Sequence, residues 1–153
     1  MTELRPPTLL ALPSYLAGHV GRIGHRMLVD AIAGHDLRLP HFAVLTALAD
    51  LGPLPQHELA DRLDLNRSHL VGYLDDVEGR ELVRRERDPD DRRRQRVVLT
   101  GTGKSLQRKL AAVAERTQAE FLHVLSEKER ETLVRLLRRV LTADDGPRAG
   151  GDK

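Results

Sequence analysis

Within residues 84–100, RRERDPDDRRRQRVVLT, seven arginines at 84, 85, 87, 92, 93, 94 and 96 lie among four acids, Glu86, Asp88, Asp90 and Asp91. A guanidinium is a planar fork that pairs with phosphate oxygens or with carboxylates. Two chemistries therefore fit: contact with a phosphate backbone, or internal neutralisation in a solvated loop. Charge weighs between them. The stretch carries +3 against +2 for the whole chain, which leaves the remainder about one negative. A positive focus on an otherwise balanced chain suits a nucleic-acid patch. With two Tyr, two Phe and no Trp, there is little material for stacking on single-stranded bases. Double-stranded DNA is the partner this composition favours.

Other chemistries find less support. The chain has no cysteine, so disulfides, thiolate metal sites and reactive thiols are excluded, and a reducing, cytoplasmic setting is expected. His19, Arg22 and His25 share a helical spacing but lack a carboxylate at metal-ligand distance. No Gly-rich phosphate loop or nucleophile elbow occurs. Neither catalysis, a cofactor nor a metal is expected. No apolar run reaches the ~18 residues of a membrane span, and TLLALPSYLAG lacks a small-residue cleavage signature.

The elements that must hold the arginines can be read from spacing. Leu12, Leu16, Val20, Ile23, Met27 and Ala31 recur at steps of three or four, the stripe of a long helix stopped near Gly34. Pro40 suits the first turn of a second helix ending at Gly52. Leu59 and Leu63 face inward from a third, Asp64 and Leu65 make a tight turn, and Asn66 caps a fourth whose inner face is Leu70, Leu74 and Val77. That is helix-turn-helix spacing. Two alternating runs flank DPDDRR, a turn-forming segment, and read as a hairpin. Thr100 caps a long helix, and the SEKE box from Ser126 to Glu129 starts the last one. From Ala143 the Gly- and Asp-rich residues 143–153 read as a disordered tail.

Three stretches in order carry a resemblance. HELADRLDLNRSHLVGYLDDVE is similar to the helix-turn-helix core of the MarR family of bacterial transcription factors. DPDDRR followed by VVLTGTG is similar to that family's wing and the Leu-Thr-x-x-Gly opening its next helix. LSEKERETLVRLLRRV resembles its terminal dimer helix. The resemblance implies a mainly α fold with a small β-hairpin wing, a winged helix-turn-helix of about six helices. It implies one domain over residues 1–142, with a DNA-binding lobe at about 40–100 and dimerisation helices at about 9–34 and 101–142.

Site residues follow from the same match. Arg67, Ser68, His69 and Tyr73 are placed outward near the start of the recognition helix, with Asn66 before them and Gln56 as a nearby donor; each is open to a base edge, a phosphate or solvent. The family's Asp-x-Arg falls on Asp91, Arg92 and Arg93, implying that Asp91 holds the Arg93 guanidinium for a minor groove, while Arg92, Arg94 and Arg96 meet phosphates. His35, Arg38 and His41 fall near the crevice where such proteins hold aromatic or phenolic acids; a hydrated loop is the alternative. Three positions depart from the family: Glu81 where a glycine is common, Pro55 in place of a hydroxyl residue, and Asp64 at a turn position often held by glycine. The function implied is a homodimeric, sequence-specific DNA-binding regulator, in particular a repressor of a pseudo-palindromic operator, with release by a small molecule as a further expectation. A non-specific, architectural DNA binder is the alternative.

Overall fold

A computed structural model describes residues 4–149, within which there are seven helices and three strands. The helices are α1 (Pro7–Leu10), α2 (Pro13–Ala33), α3 (Leu39–Leu51), α4 (Gln56–Leu63), α5 (Arg67–Gly79), α6 (Gly101–Phe121) and α7 (Glu127–Ala149). The strands are β1 (Leu54–Pro55), β2 (Val83–Arg87) and β3 (Gln95–Leu99). This is the mainly α architecture with a winged hairpin that the resemblance implies. Contacts divide the chain into two compact units, Met1–Gln118 and Ala119–Lys153.

Local chemistry sets most boundaries. Pro40 sits in the first turn of α3, where its missing N–H costs nothing. The Asn66 carboxamide oxygen accepts the Ser68 N–H at 2.9 Å and so caps α5. Thr100 Oγ1 accepts the Gly103 N–H at 3.0 Å and donates back to the Glu81 carbonyl at 2.7 Å. The Ser126 hydroxyl accepts from the Glu129 N–H while the Glu129 carboxylate accepts from the Ser126 N–H, a reciprocal capping box. That backbone hydrogen bond is the main reason the Glu129 carboxyl lies below its usual range.

Within the first unit, Ile32 of α2, Val44, Leu45 and Leu48 of α3, Leu59 of α4, Leu70, Leu74 and Val77 of α5, and Leu110 of α6 close around Val83 and Val97 of the sheet. The sheet is antiparallel in the order β1-β3-β2, with Val83 opposite Leu99 and Glu86 opposite Arg96. β1, too short to show any alternation in the sequence, pairs Leu54 with Val97. Between α5 and β2 the backbone turns at Glu81 with φ 59°, and between α4 and α5 at Asp64 with φ 52°. Both adopt the left-handed conformation glycine would take more easily. α5 therefore runs its full length to Gly79, and Glu81 carries the strain.

The residues expected to form a disordered tail behave otherwise as far as they are described. α7 continues through Ala143 to Ala149, with Pro147 inside it and an Asp144–Arg148 pair one turn apart at 3.4 Å. The expectation rested on a Gly- and Asp-rich composition without a periodic face. Residues 143–149 extend a helix begun at the Ser126 box, and Pro147 takes from it the hydrogen bond its missing N–H would have made. Residues 150–153 lie outside the described part.

Candidate nucleic-acid interface

α5 has three distinct sides. Leu70, Leu74 and Val77 are buried. At 100° per residue, Ser68, Val71, Gly72 and Asp75 form the outward side, where all four are exposed and Val71 retains 39 % of its surface. His69, Tyr73, Asp76 and Arg80 form a lateral stripe. Of the residues expected to point outward, Arg67, Ser68 and His69 are exposed. Tyr73 is not on that side: its half-buried ring meets His41 edge-on, centroids 5.4 Å apart. A helix places i and i+4 on one side, so Val71 and Gly72 could have been read from Arg67 and Ser68. The hydroxyl of Ser68 donates to Asn66 Oδ1, so both polar side chains are engaged in the cap.

Beside α5 lies a hollow of about 300 Å³ lined by Gln56, His57, Arg67, Leu70, Arg94 and Gln95. It brings together Gln56, Arg67 and Arg94, which the sequence separates, and adds His57 and Gln95, which sequence reasoning missed. The Arg67 guanidinium, with 71 % of its side chain exposed, is 3.8 Å from Asp61. A pair so open and so long is weak, which leaves the fork available to an incoming anion.

The wing shows what the four acids do. In its turn the Asp88 N–H donates to the Arg94 carbonyl, the Asp90 N–H to Asp88 Oδ1, and the Arg93 N–H to Asp91 Oδ1 at 3.1 Å. Asp91 therefore fixes the backbone of Arg93, and its other oxygen faces the guanidinium of Arg94 at 3.6 Å. The expected grip of Asp91 on the Arg93 guanidinium is not present. An Asx turn uses the carboxylate two residues before the N–H it accepts, which turns it away from that residue's own side chain. Glu86 Oε1 accepts from Arg96 Nη2 at 2.6 Å across the hairpin, and Glu86 Oε2 lies 3.2 Å from Arg84. Arg96, first, and Arg84 together hold the Glu86 carboxyl below its usual range.

Arg85 is the fourth paired arginine. Its guanidinium reaches back to Glu78 at 3.0 Å and to Asp75, tying β2 to α5. The hydrogen bond from Arg85 lowers the Glu78 carboxyl, and Glu78 followed by Asp75 raises the already high Arg85. Among the described residues Arg87, Arg92 and Arg93 have no carboxylate within ion-pair distance, and all three are exposed. Internal neutralisation therefore accounts for Arg84, Arg85, Arg94 and Arg96, and leaves Arg87 at the end of β2 and Arg92 and Arg93 in the wing turn unpaired among the described residues.

On another side of the first unit a crevice of about 430 Å³ opens between α2 and α3, with His25, Val29 and Ala33 on one wall, Arg38, Pro40 and Ala43 on the other, and Leu65 at its edge. Its chemistry is apolar walls with one cation and one imidazole, which suits a small aromatic acid. Arg38 belongs to it as expected; His35 and His41 do not. His41 is 5 % exposed, accepts the Arg38 N–H on Nδ1 at 2.8 Å, and contacts Asp76 Oδ2 through Nε2 at 2.9 Å. His35 offers its carbonyl to Arg80. His25 was missed as a crevice residue. His19 turns Nδ1 to Arg22 at 2.9 Å and to Arg5 at 3.4 Å. Desolvation, then Arg22 and Arg5, hold its imidazole below the ordinary value. No helix among the described residues is long and apolar enough to cross a membrane.

Known proteins share this family and fold. The profile described as MarR family matches residues 37–94, from the last turn before α3 to the wing. Transcriptional regulator HosA of Escherichia coli O111:H- is 35 % identical over 108 residues, 71 % of this chain and 80 % of that protein. Among solved structures, the PcaV transcriptional regulator of Streptomyces coelicolor, determined with its natural ligand, has a TM-score of 0.72 at 28 % identity, covering 94 % of this chain and 99 % of that one. Bordetella bronchiseptica BpsR, whose DNA binding is regulated by 6-hydroxynicotinic acid, shares the fold with a TM-score of 0.75 at 24 % identity, over 89 % of this chain and 97 % of its own.

Proposed function

The chain belongs to the MarR family of transcriptional regulators, and we propose that it is a cytoplasmic repressor that binds a pseudo-palindromic operator in double-stranded DNA as a homodimer. The outward side of α5 enters a major groove, where Arg67 and Ser68 at its N-terminal end and Val71 and Gly72 along it face base edges, and the exposed His69 flanks them from the lateral stripe. The hollow beside Arg67, where Gln56, His57 and Arg94 converge, receives a backbone phosphate. Arg92 and Arg93 enter the flanking minor groove, with Asp91 and Asp88 setting the turn from which they project. Asn66 acts through the cap, and Arg96 braces the hairpin against Glu86. The observation that carries this reading is the unpaired state of the wing-turn arginines beside an uncovered recognition-helix side.

Release falls to the crevice. A small aromatic or phenolic acid places its carboxylate on Arg38 and its ring against Val29, Ala33 and Pro40. The domain plan is a DNA-binding lobe at about 40–100 flanked by helices that join two copies. Selection of bound duplexes from a random pool tests the reading: a symmetric motif preferred roughly 10³-fold or more over unrelated DNA is expected. Equal binding of all duplexes would make the protein an architectural DNA binder instead.

A further inference from the structure

The buried side of α5 is apolar, and apolar contact is non-directional; it holds the helix against the core without fixing its roll. Directional contacts do that, and they come from two sides. On the wing side Arg85 engages Asp75 and Glu78. On the other, the lateral stripe meets the α2–α3 corner: His41 bonds Asp76, Tyr73 lies edge-on to the His41 ring, and Arg80 donates to the carbonyls of His35 and Asp36 at 3.4 and 3.2 Å. His41 cannot touch DNA, being buried. Because its Nδ1 accepts the Arg38 N–H, the neutral ring carries its proton on Nε2 and donates to Asp76. The Arg38 guanidinium sits 5.8 Å from the Tyr73 ring centroid, a weak cation–π contact, and also lines the crevice.

We infer that His41 is a positioning residue: through Asp76 it sets the roll of α5, and through the first turn of α3 it passes occupancy of the crevice to the DNA-reading side. This deepens the regulatory reading above and rests on it. A carboxylate that takes Arg38 away from Tyr73 strains the turn whose N–H binds His41, and the strain reaches Asp76 within one hydrogen bond. The wing tether through Arg85 stays in place, so the helix rolls about that side.

The test uses the full chain, the selected operator and an unrelated duplex at fixed salt. Asp76 is 63 % exposed at its side chain, so Asp76→Ala is expected to fold. It should bind the operator about tenfold more weakly with unrelated DNA unchanged within about twofold. Asp76→Asn, which still accepts from Nε2, should restore operator binding. His41→Ala should match Asp76→Ala, and the double variant should be no worse than either. Additive losses, or tighter binding of both duplexes when the Asp76 charge is removed, would overturn the inference. In a second arm 6-hydroxynicotinic acid is the probe. Calorimetry should show equal uptake by wild type and Asp76→Ala, while only wild type loses operator affinity on uptake. Equal loss in both would also overturn it. No uptake by wild type would refute the crevice reading and the transmission step together, and the operator arm would still decide whether His41 sets α5.

Discussion

At the scale of single residues, close contact decides which positions tolerate change. A Cβ added at Gly103 would stand 2.0 Å from the Leu82 carbonyl oxygen and 2.7 Å from the Leu99 side chain, so the start of α6 can lie on the backbone of Leu82, just before β2, only with glycine there. Gly103→Ala should lower stability by more than about 3 kcal/mol. Gly72, with nothing within 4 Å of the same position, should gain up to about 1 kcal/mol as alanine; urea unfolding of the two variants measures both. On the DNA side, Arg67→Ala should relax preference at one symmetric pair of operator positions, since a bidentate base contact contributes about 1–3 kcal/mol of discrimination. Arg93→Ala should weaken all sites, most at A·T-rich flanks. Asp91→Ala should weaken binding as well, by loosening the turn that presents Arg93. Equilibrium binding to single-position operator variants separates these outcomes, and wild-type behaviour of both wing variants would reduce the wing to a solvated charge run.

At the scale of elements, the hairpin and α5 behave as one piece because Arg85 spans them and Glu81 closes the corner. Glu81 holds φ at 59°, which costs a non-glycine residue roughly 1 kcal/mol. Glu81→Gly should therefore stabilise the chain by a fraction of that amount or up to it, the unfolded chain's added freedom subtracting from the gain. A shift of the urea midpoint downward would contradict the strain. The Arg85–Glu78 pair adds a pH dependence of known sign. Glu78 is depressed in the folded state relative to its ordinary 4.5, so its contribution is complete above that value and lost as acid carries the pH down through the folded value. Glu78→Gln should flatten the acid limb of stability below about pH 4.5 and leave its slope near neutrality unchanged. The side chain is more than a third exposed, and water screens the effect.

At the scale of the whole molecule, apolar surface is left over. Leu9, Leu12, Leu16, Val20 and Ile23 form one exposed stripe along α1 and α2, and Val134, Leu136, Leu137, Val140 and Leu141 form another on α7. Stripes of this size mark association surfaces, and full burial of each leucine would contribute about 1.5–3 kcal/mol. Leu136→Asp should convert the proposed dimer to monomer in sedimentation; an unchanged dimer would remove α7 from the interface. Operator affinity should then fall steeply with salt, with a slope of about −0.9 per phosphate neutralised. A flat response would exclude the electrostatic role of the wing.

What the sequence determined by itself is whatever depends on a few neighbouring residues. The caps at Asn66, Thr100 and Ser126, the proline in the first turn of α3, the left-handed Asp64 and the hairpin about DPDDRR are all set by hydrogen bonds or steric limits spanning seven residues or fewer, and the apolar periodicities placed the buried side of α5. The wing arginines were legible as a group for the same reason. Which carboxylate each would meet was not, because Arg85 finds Glu78 and Asp75 across a corner and Glu86 finds Arg96 across a strand pair, distances that only register and packing define. Tyr73 and His41 were misplaced on the same ground: whether a polar ring faces solvent or a partner 35 positions away is settled when α3 and α5 close on the core. The tertiary structure also decided that His25 and Arg38 share one crevice, since a cavity is a property of two helices at once and leaves no pattern in either.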